Sequence, residues 1–440
     1  MGHGLHLMTQ LLRQASLSIA EQFAQPIAML VAISLLIRSL GVEQFGLFTI
    51  VLTLTAMSPL LSLGTSTLIV REVAQRLQTA GRGNVINALR ESFLVLMTMS
   101  TLVFTGAVGF FAFRYQFLNT PEVGQSHFML AVATGLGCAV AQEIDVLYAG
   151  AMKGLSRFGW SATIEIGGRL VWLLAVVLGA EFGGLGGVFL AALATLLVKA
   201  FAKGLLCAHS LETPLVFLPS ANVRSIRDLL RRSIWLWVQG LAGILLFSVD
   251  RLIVGSLFGA TVMGSYVACT QVAAIGLMAP AAAGQALVPW FAKHGARNTA
   301  PAHGWQLTLW GMALASAMPG LVIAASSYLA LWLWLGSSFA DSYWPVLAAL
   351  AVGSAATAAG VPFHFCLLSA GSTRPIALAN LAGGLGCTLL CIVLAKYGLT
   401  AFSLGKLAFA GPLMALPYFL FRLLSGRVPT AATPKPRSKF

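Results

Sequence analysis

Residues 233–257 read SIWLWVQGLAGILLFSVDRLIVGSL, and this stretch decides the class of fold. Its apolar character extends over more than the ~20 residues that a helix needs to cross ~30 Å of hydrocarbon. It nevertheless contains two adjacent charged residues, Asp250 and Arg251. Because a charge inside the bilayer is costly, each such residue is a candidate functional group.

Comparable apolar runs recur along the whole chain, of which 58% is hydrophobic and only 9% charged. A soluble domain carries roughly 25% charged residues. The sequence therefore predicts an all-α polytopic membrane protein with about 12 transmembrane helices. The predicted spans are 18–37, 46–69, 92–113, 126–149, 160–180, 185–206, 233–257, 263–289, 305–330, 343–369, 377–395 and 401–421.

The net charge of +14 is explained by where the basic residues lie. Most fall in loops on one side of the predicted membrane, and we count Lys199 and Lys203 with one of these loops. Only Arg38, Arg114 and Lys396 fall on the other side. This distribution follows the positive-inside rule and places both termini in the cytoplasm. It leaves no signal for nucleic-acid binding. The six cysteines show no CxxC or Cys/His spacing, so we predict buried free thiols and no metal site.

An internal repeat divides the chain into two lobes. A shift of 217 positions places Gln22 on Gln239 and GLSR (154–157) on GSTR (371–374), and Gly46 falls on Gly264 after one insertion. Lobes with an even number of spans point the same way and face each other across a central cavity that opens by alternating access. The predicted domains are an N-lobe (1–206), a cytoplasmic linker (207–232), a C-lobe (233–421) and a basic, disordered cytoplasmic tail (422–440).

Several segments carry a resemblance to a known family. They are SLGVEQFGLF, LLSLGTSTLIVREVA, YAGAMKGLSRFG, FSVDRLIVGSLFGATVMGSYVA, FCLLSAGSTRPIALANLAGGLG and AKYGL. Together they resemble the bacterial polysaccharide and O-antigen flippases of the MOP (multidrug/oligosaccharidyl-lipid/polysaccharide) exporter superfamily. The resemblance implies twelve helices in two bundles of six, located in the bacterial inner membrane. Twelve spans argue against the lipid II flippases of this superfamily, which usually have fourteen.

The resemblance also implies the cargo, an undecaprenyl-pyrophosphate-linked oligosaccharide moved from the inner to the outer leaflet, with H⁺ or Na⁺ as a possible coupling ion. Other polysaccharide-assembly proteins are candidate partners, and no cofactor is implied. The alternative is a multidrug and toxin exporter of the same superfamily, which would favour cationic drugs and need acidic cavities. An enzyme acting on polyprenyl-linked sugars is disfavoured, because the predicted outer loops are short and contain few carboxylates.

Arg169 is the first candidate for contact with an anionic cargo. It lies about nine residues into the fifth span, roughly 14 Å deep. An arginine at this depth binds phosphate well and is costly on the lipid side. Glu165 lies one turn earlier on the same face and is expected to pair with it. The alternative is that this pair only joins two helices.

Asp250 and Arg251 are adjacent, so on a helix they point about 100° apart and require different partners. One could face the cavity while the other contacts a neighbouring helix. Alternatively, Arg251 snorkels outward and Asp250 bonds to an adjacent helix. Lys406 lies near the outer end of the last span, where it either snorkels or meets the pyrophosphate.

The first span carries a polar stripe that includes Glu21, Gln22 and Gln25. This stripe lines the cavity or joins helices, and Gln239 is its equivalent in the second lobe. Glu143 and Asp145 in the fourth span could carry a coupling ion or pair with Lys153 or Arg157. The candidate substrate-binding residues are thus Arg169, Arg251, Lys406, Gln22, Gln25 and Gln239, and the candidate ion-coupling residues are Glu21, Asp250, Glu165, Glu143 and Asp145.

Overall fold

The structure is a computed structural model, and it describes residues 26–41, 44–49, 51–53, 55–79, 81–114, 125–213, 223–294, 302–370 and 372–424. Every regular element in these ranges is an α- or 3₁₀-helix, and they contain no strand. This agrees with the predicted all-α class. A segment in lipid must satisfy its own backbone hydrogen bonds, and a helix does so within the segment.

The helices in chain order are α1 Pro26–Gly41, α2 Gln44–Leu60, α3 Thr65–Thr79, α4 Gly81–Arg114, α5 Gln125–Gly154, α6 Phe158–Leu211, α7 Val223–Phe247, α8 Val249–Phe258, α9 Ala260–His294, α10 Ala302–Ala325, α11 Ser327–Leu335, α12 Ser337–Ala358, α13 Val361–Ser369, α14 Thr373–Leu394, α15 Leu399–Leu404, α16 Ala410–Leu413 and α17 Leu416–Leu424. Short 3₁₀ segments include Ser58–Leu60 at the end of α2, Ala395–Tyr397 after α14, and Gly405–Phe409 between α15 and α16.

Over the described residues, most of the predicted spans fall on these helices. Within the described ranges, eight helical stretches are long and apolar enough to cross a bilayer, and Pro26–Gly41 and Gln44–Leu60 are shorter apolar helices. The longest stretch, α6, covers both the fifth and the sixth predicted spans. The fourth predicted span falls on α5. The chain is therefore a multi-pass membrane protein.

Two predictions about the segment around residue 65 are wrong. The second span was expected to continue to residue 69, but the helix breaks between Leu60 and Thr65, where Leu63 and Gly64 have positive φ angles of 49° and 77°. The following segment REVAQRLQTAGRGNVINALRE was expected to be a loop. Apart from Ala80, which lies outside the described residues, it belongs to α3 and α4.

The described residues fall into two compact units. The first comprises those up to Ile244 together with Arg251–Ala268, and the second comprises Leu245–Asp250 and those from Cys269 onward. The predicted lobe boundaries remain a prediction. Of the predicted linker, residues 207–211 belong to α6 and residues 223–232 to α7. The predicted tail, apart from the end of α17, lies outside the described residues.

One contact in the first unit agrees with the repeat. A Cβ built on Gly264 would lie 3.6 Å from the Cα of Gly46. The repeat aligns these same two glycines. Both glycines lie in the first compact unit, and the two-lobe duplication stays a prediction.

Candidate functional site

The bend in α6 builds a highly charged region of the first unit. Gly184 has φ 54° and ψ −144°, a conformation that is accessible to glycine but not to residues with a side chain. The two halves of α6 touch beside this bend, where a Cβ on Gly179 would be 2.5 Å from the carbonyl oxygen of Gly187. The chain therefore folds back on itself as a helical hairpin.

The hairpin brings opposite charges together. Glu165 lies nineteen residues before Gly184 and Lys203 nineteen residues after it, while Arg169 and Lys199 each lie fifteen residues away. Residues at equal distances from a hairpin bend face each other. The spacing thus places the acid and the arginine of the first half opposite the two lysines of the second half.

Five side chains form the resulting charge cluster: Asp145 on α5 and Glu165, Arg169, Lys199 and Lys203 on α6. Glu165 binds Arg169 at 2.7 Å, Lys199 at 2.9 Å and Lys203 at 2.7 Å. Asp145 binds Lys199 at 3.3 Å and Lys203 at 2.8 Å. Each lysine therefore bridges the two carboxylates.

Burial differs sharply within the charge cluster. The Lys203 side chain is only 1% exposed, whereas the Arg169 side chain is 24% exposed. The five groups carry three positive and two negative charges, so the cluster has a net positive charge inside the membrane-spanning part of the chain. Arg169 is the member through which that charge reaches the surface of the unit.

An apolar cavity adjoins the charge cluster. It has a volume of about 380 Å³ and lies between the two halves of α6, with Lys199 in its wall. Its other walls include Ile164, Gly167, Val171 and Val198. A second cavity, of about 550 Å³, lies at the far end of α6 and is lined by polar residues that include Arg82, Arg157 and His209. Arg82 also pairs with Glu212 there, at 2.5 Å.

The predicted pair of Glu165 and Arg169 is confirmed, but the sequence suggested other partners for Asp145. Lys153 or Arg157 was expected, and the structure gives Lys199 and Lys203, which had been counted as loop charges. Glu143 accepts hydrogen bonds from the hydroxyls of Ser58 at 3.1 Å and Ser66 at 3.0 Å. The two acids of the fourth span therefore have different kinds of partner.

Lys406 does not snorkel outward, and its role toward a cargo stays a prediction. Its ammonium group binds Asp250 at 2.6 Å and donates to the carbonyl oxygen of Leu246 at 2.7 Å. The Asp250 side chain is 2% exposed and that of Lys406 12% exposed, so this ion pair is buried within the second unit. Asp250 does contact a neighbouring helical segment, as one of the sequence interpretations held.

Two of the remaining candidates lie in described helices. Arg251 on α8 and Gln239 on α7 are both half-buried. Glu21, Gln22 and Gln25 lie outside the described residues. Their proposed roles stay predictions.

Known structures have the same fold, that of transporters of the MOP superfamily. The chain is similar to an inward-facing multidrug resistance MATE family transporter, with a TM-score of 0.72 and 12% identity over 94% of this chain and 100% of that one. It is also similar to an outward-facing MATE family transporter, with a TM-score of 0.62 and 15% identity over 95% of each chain. A third similar structure is a MOP superfamily transporter from Pyrococcus furiosus Vc1, with a TM-score of 0.60 and 14% identity over 95% of each chain.

The family model for "Polysaccharide biosynthesis protein" matches residues 11–294, which is more than half of the chain. The protein therefore belongs to this family. No curated protein sequence matches the chain.

Proposed function

We propose that the protein is a flippase. Its cargo would be an oligosaccharide linked to undecaprenyl pyrophosphate, moved from the cytoplasmic to the outer leaflet of the bacterial inner membrane by alternating access. Both termini would lie in the cytoplasm, as the distribution of basic residues predicts. Membership of the polysaccharide biosynthesis family supports this class of cargo, and the net positive charge of the buried cluster is the observation that carries the proposal.

The sign of the charge favours an anionic cargo. Both carboxylates of the charge cluster are held by ammonium groups, and a third cation, Arg169, pairs with Glu165 at 2.7 Å and is the most exposed member. A guanidinium group can bind a phosphate with two parallel hydrogen bonds. The adjacent apolar cavity offers hydrocarbon contacts of the kind that a polyprenyl tail needs. A phosphate-bearing lipid therefore suits this region better than a cationic drug.

A multidrug exporter is the second candidate, because two of the similar structures described above are multidrug transporters. Such a protein would need carboxylates available to cationic drugs. Here Asp145 and Glu165 are neutralised by Lys199 and Lys203. The similar Pyrococcus furiosus protein is described as having a binding pocket of reverse polarity that suggests a different function, so pocket charge has been taken as a guide to function in this superfamily.

The decisive experiment replaces Arg169 in a strain that lacks the chromosomal copy. Glu165 keeps two ammonium partners when Arg169 is removed, so Arg169→Ala should fold and insert. We expect it to abolish surface polysaccharide on a gel, while Arg169→Lys retains part of the export because the positive charge remains. Arg374→Ala is the matched control, since Arg374 is exposed at the start of α14.

A drug-sensitivity panel on the same strains separates the two candidates. Lost polysaccharide with unchanged drug tolerance supports the flippase. Full polysaccharide export by Arg169→Ala, at wild-type protein levels, would remove Arg169 from the cargo path. Normal polysaccharide with lowered drug tolerance in the deletion strain would favour the multidrug exporter.

A further inference from the structure

Glu143 differs from the other buried acids of the chain. Glu143 is 4% exposed, and so is Glu91 on α4. Every other buried acid in the described ranges has a cation within 4 Å: Arg76 for Glu72 and Glu91, lysines for Asp145 and Glu165, and Lys406 for Asp250. The Glu143 carboxyl group is held instead by the hydroxyls of Ser58 and Ser66.

The type of partner decides whether a buried carboxyl group can change its protonation state. An ammonium group only donates hydrogen bonds and carries a positive charge, so it holds its carboxylate ionised. A serine hydroxyl donates to a carboxylate and accepts from a carboxylic acid. The hydroxyl groups around Glu143 can therefore satisfy both the ionised and the neutral form of its carboxyl group, whereas the ammonium groups around Asp145 and Glu165 can only donate hydrogen bonds.

The two serines lie on opposite sides of the helix break between α2 and α3. Ser58 is in the last turn of α2, and Ser66 is in the first turn of α3. Ser58 binds one oxygen of the carboxyl group and Ser66 the other. A third buried serine, Ser62, lies within the break. Glu143 thus ties together the two ends of a segment that contains two residues of positive φ.

The break is also packed tightly against α7. A Cβ on Gly64 would lie 2.8 Å from the backbone nitrogen of Trp237 and 2.9 Å from the carbonyl oxygen of Ser233. A change in the backbone angles at Gly64 would therefore require α7 to move as well. The break is connected to Glu143 on one side and to a second spanning helix on the other.

Most charged groups on the helices around Glu143 have partners elsewhere, and the exception is Arg90 on α4, which is half-buried and whose buried Nε has no hydrogen-bond partner among the described residues. On α3, Glu72 pairs with Arg76 at 3.0 Å. On α6, Lys199 and Lys203 each bind both Asp145 and Glu165. On α4, Glu91 lies 3.9 Å from Arg76 and Arg82 binds Glu212, while residues Leu96 and Met97 pack against the Ala139–Ile144 side of α5. Hydroxyl groups and apolar side chains therefore surround the carboxyl group of Glu143.

We propose that Glu143 is the proton-binding site of this carrier and that its protonation loosens the helix break at residues 61–64. The neutral acid accepts weaker hydrogen bonds than the carboxylate, so the tie between Ser58 and Ser66 weakens when the proton binds. Its role in driving transport rests on the proposed function. Proton binding itself does not, because it can be measured without any cargo.

The first test is infrared difference spectroscopy of the purified, reconstituted protein during a pH titration. We expect a carbonyl band from a buried carboxylic acid that grows as the pH falls and is missing in Glu143→Gln. Glu91→Gln is the matched control, because Glu91 is equally buried but lies near a guanidinium group. This control should retain the band.

The second test is hydrogen–deuterium exchange of peptides that cover residues 58–66, compared at one pH. Glu143→Gln imitates the neutral acid, and we expect exchange in these peptides to be about fivefold faster than in the wild type, as a charged hydrogen bond is replaced by a neutral one. Ser66→Ala should produce the same increase while leaving Glu143 in place. Ser66→Ala therefore provides the test if Glu143→Gln does not fold.

Three results would overturn the inference. They are a titration band unaffected by Glu143→Gln, exchange in residues 58–66 that neither variant changes, and exchange that responds to Na⁺ but not to pH. The last result would make the site a cation site. If the band and the exchange behave as expected but the deletion strain exports normal polysaccharide, then the proton site stands and the proposed cargo fails.

Discussion

Lys203 is the residue whose removal should damage the charge cluster most. Its ammonium group lies 2.8 Å from Asp145 and 2.7 Å from Glu165, and its side chain is 1% exposed. In Lys203→Met a side chain of similar length stays, but the charge is lost. Asp145 then retains Lys199 at 3.3 Å. Removing one partner of a buried ion pair costs about 3–5 kcal/mol, because the other charge remains buried.

Arg169→Met provides the comparison within the same cluster. Glu165 keeps both lysines, and the lost side chain is partly exposed, so we expect a cost of about 1 kcal/mol or less. A domain of roughly 150–250 residues shifts its melting temperature by about 2–4 °C per kcal/mol. Lys203→Met should therefore lower the apparent midpoint by roughly 6–20 °C and Arg169→Met by about 4 °C at most.

The assay is heating of detergent-solubilised protein at one fixed rate, followed by size-exclusion chromatography of what remains monodisperse. A fixed rate is needed because such unfolding is irreversible. Adding Asp145→Asn to Lys203→Met neutralises the acid that has lost its nearer partner, so the double variant should recover most of the loss. Two results would refute the assignment of Lys203 as the cation that binds both carboxylates. One is a Lys203→Met protein with the same melting midpoint as the wild type. The other is a double variant whose loss equals the sum of the losses of the two single variants.

Two further predictions concern the second unit and the helix break. Asp250→Asn and Lys406→Met should each lower the melting temperature, but the double variant should lose less than the sum of the two. We expect a coupling free energy of roughly 1–3 kcal/mol in a double-mutant cycle. Full additivity would show that the pair does not interact. Gly64→Ala should cost at least about 2 kcal/mol, because alanine is strained at φ 77° and its Cβ would lie 2.8 Å from the nitrogen of Trp237. Gly240→Ala, whose Cβ would make an ordinary contact at 3.7 Å, is its control, and equal melting of the two variants would contradict this account.

The spans could be predicted from the sequence because transfer into lipid depends on composition over a window of about 20 residues. The pair of Glu165 and Arg169 could be predicted because its members are one helical turn apart. The helix break at residues 61–64 was missed, since a hydropathy window does not register backbone angles. Pro59 lies just before the break and Gly64 lies within it, and these two residues were the available signal.

Lys199 and Lys203 were missed for a different reason. The positive-inside rule assigned them to a loop because they lie near the end of a span. Their positions relative to Gly184 hold the missing information: once the chain is known to reverse at that glycine, residues equally far from it must meet. Lys406 was misread similarly, because its position near a helix end suggested snorkelling while its partner Asp250 lay more than 150 residues away in the sequence.

The charge cluster and Glu143 together constrain how a proton and an anionic cargo could be exchanged. The cluster has one excess positive charge, and ionised Glu143 cancels it, so proton uptake by Glu143 would leave the first unit's spans more positive. By electrostatics alone, the proton and the anion would then assist each other's binding, and linkage makes that assistance reciprocal. A carrier that exchanges one for the other must oppose this tendency through a conformational change. The break between Ser58 and Ser66, tied to Glu143 and packed against α7, is the element of the structure where proton binding and helix position meet.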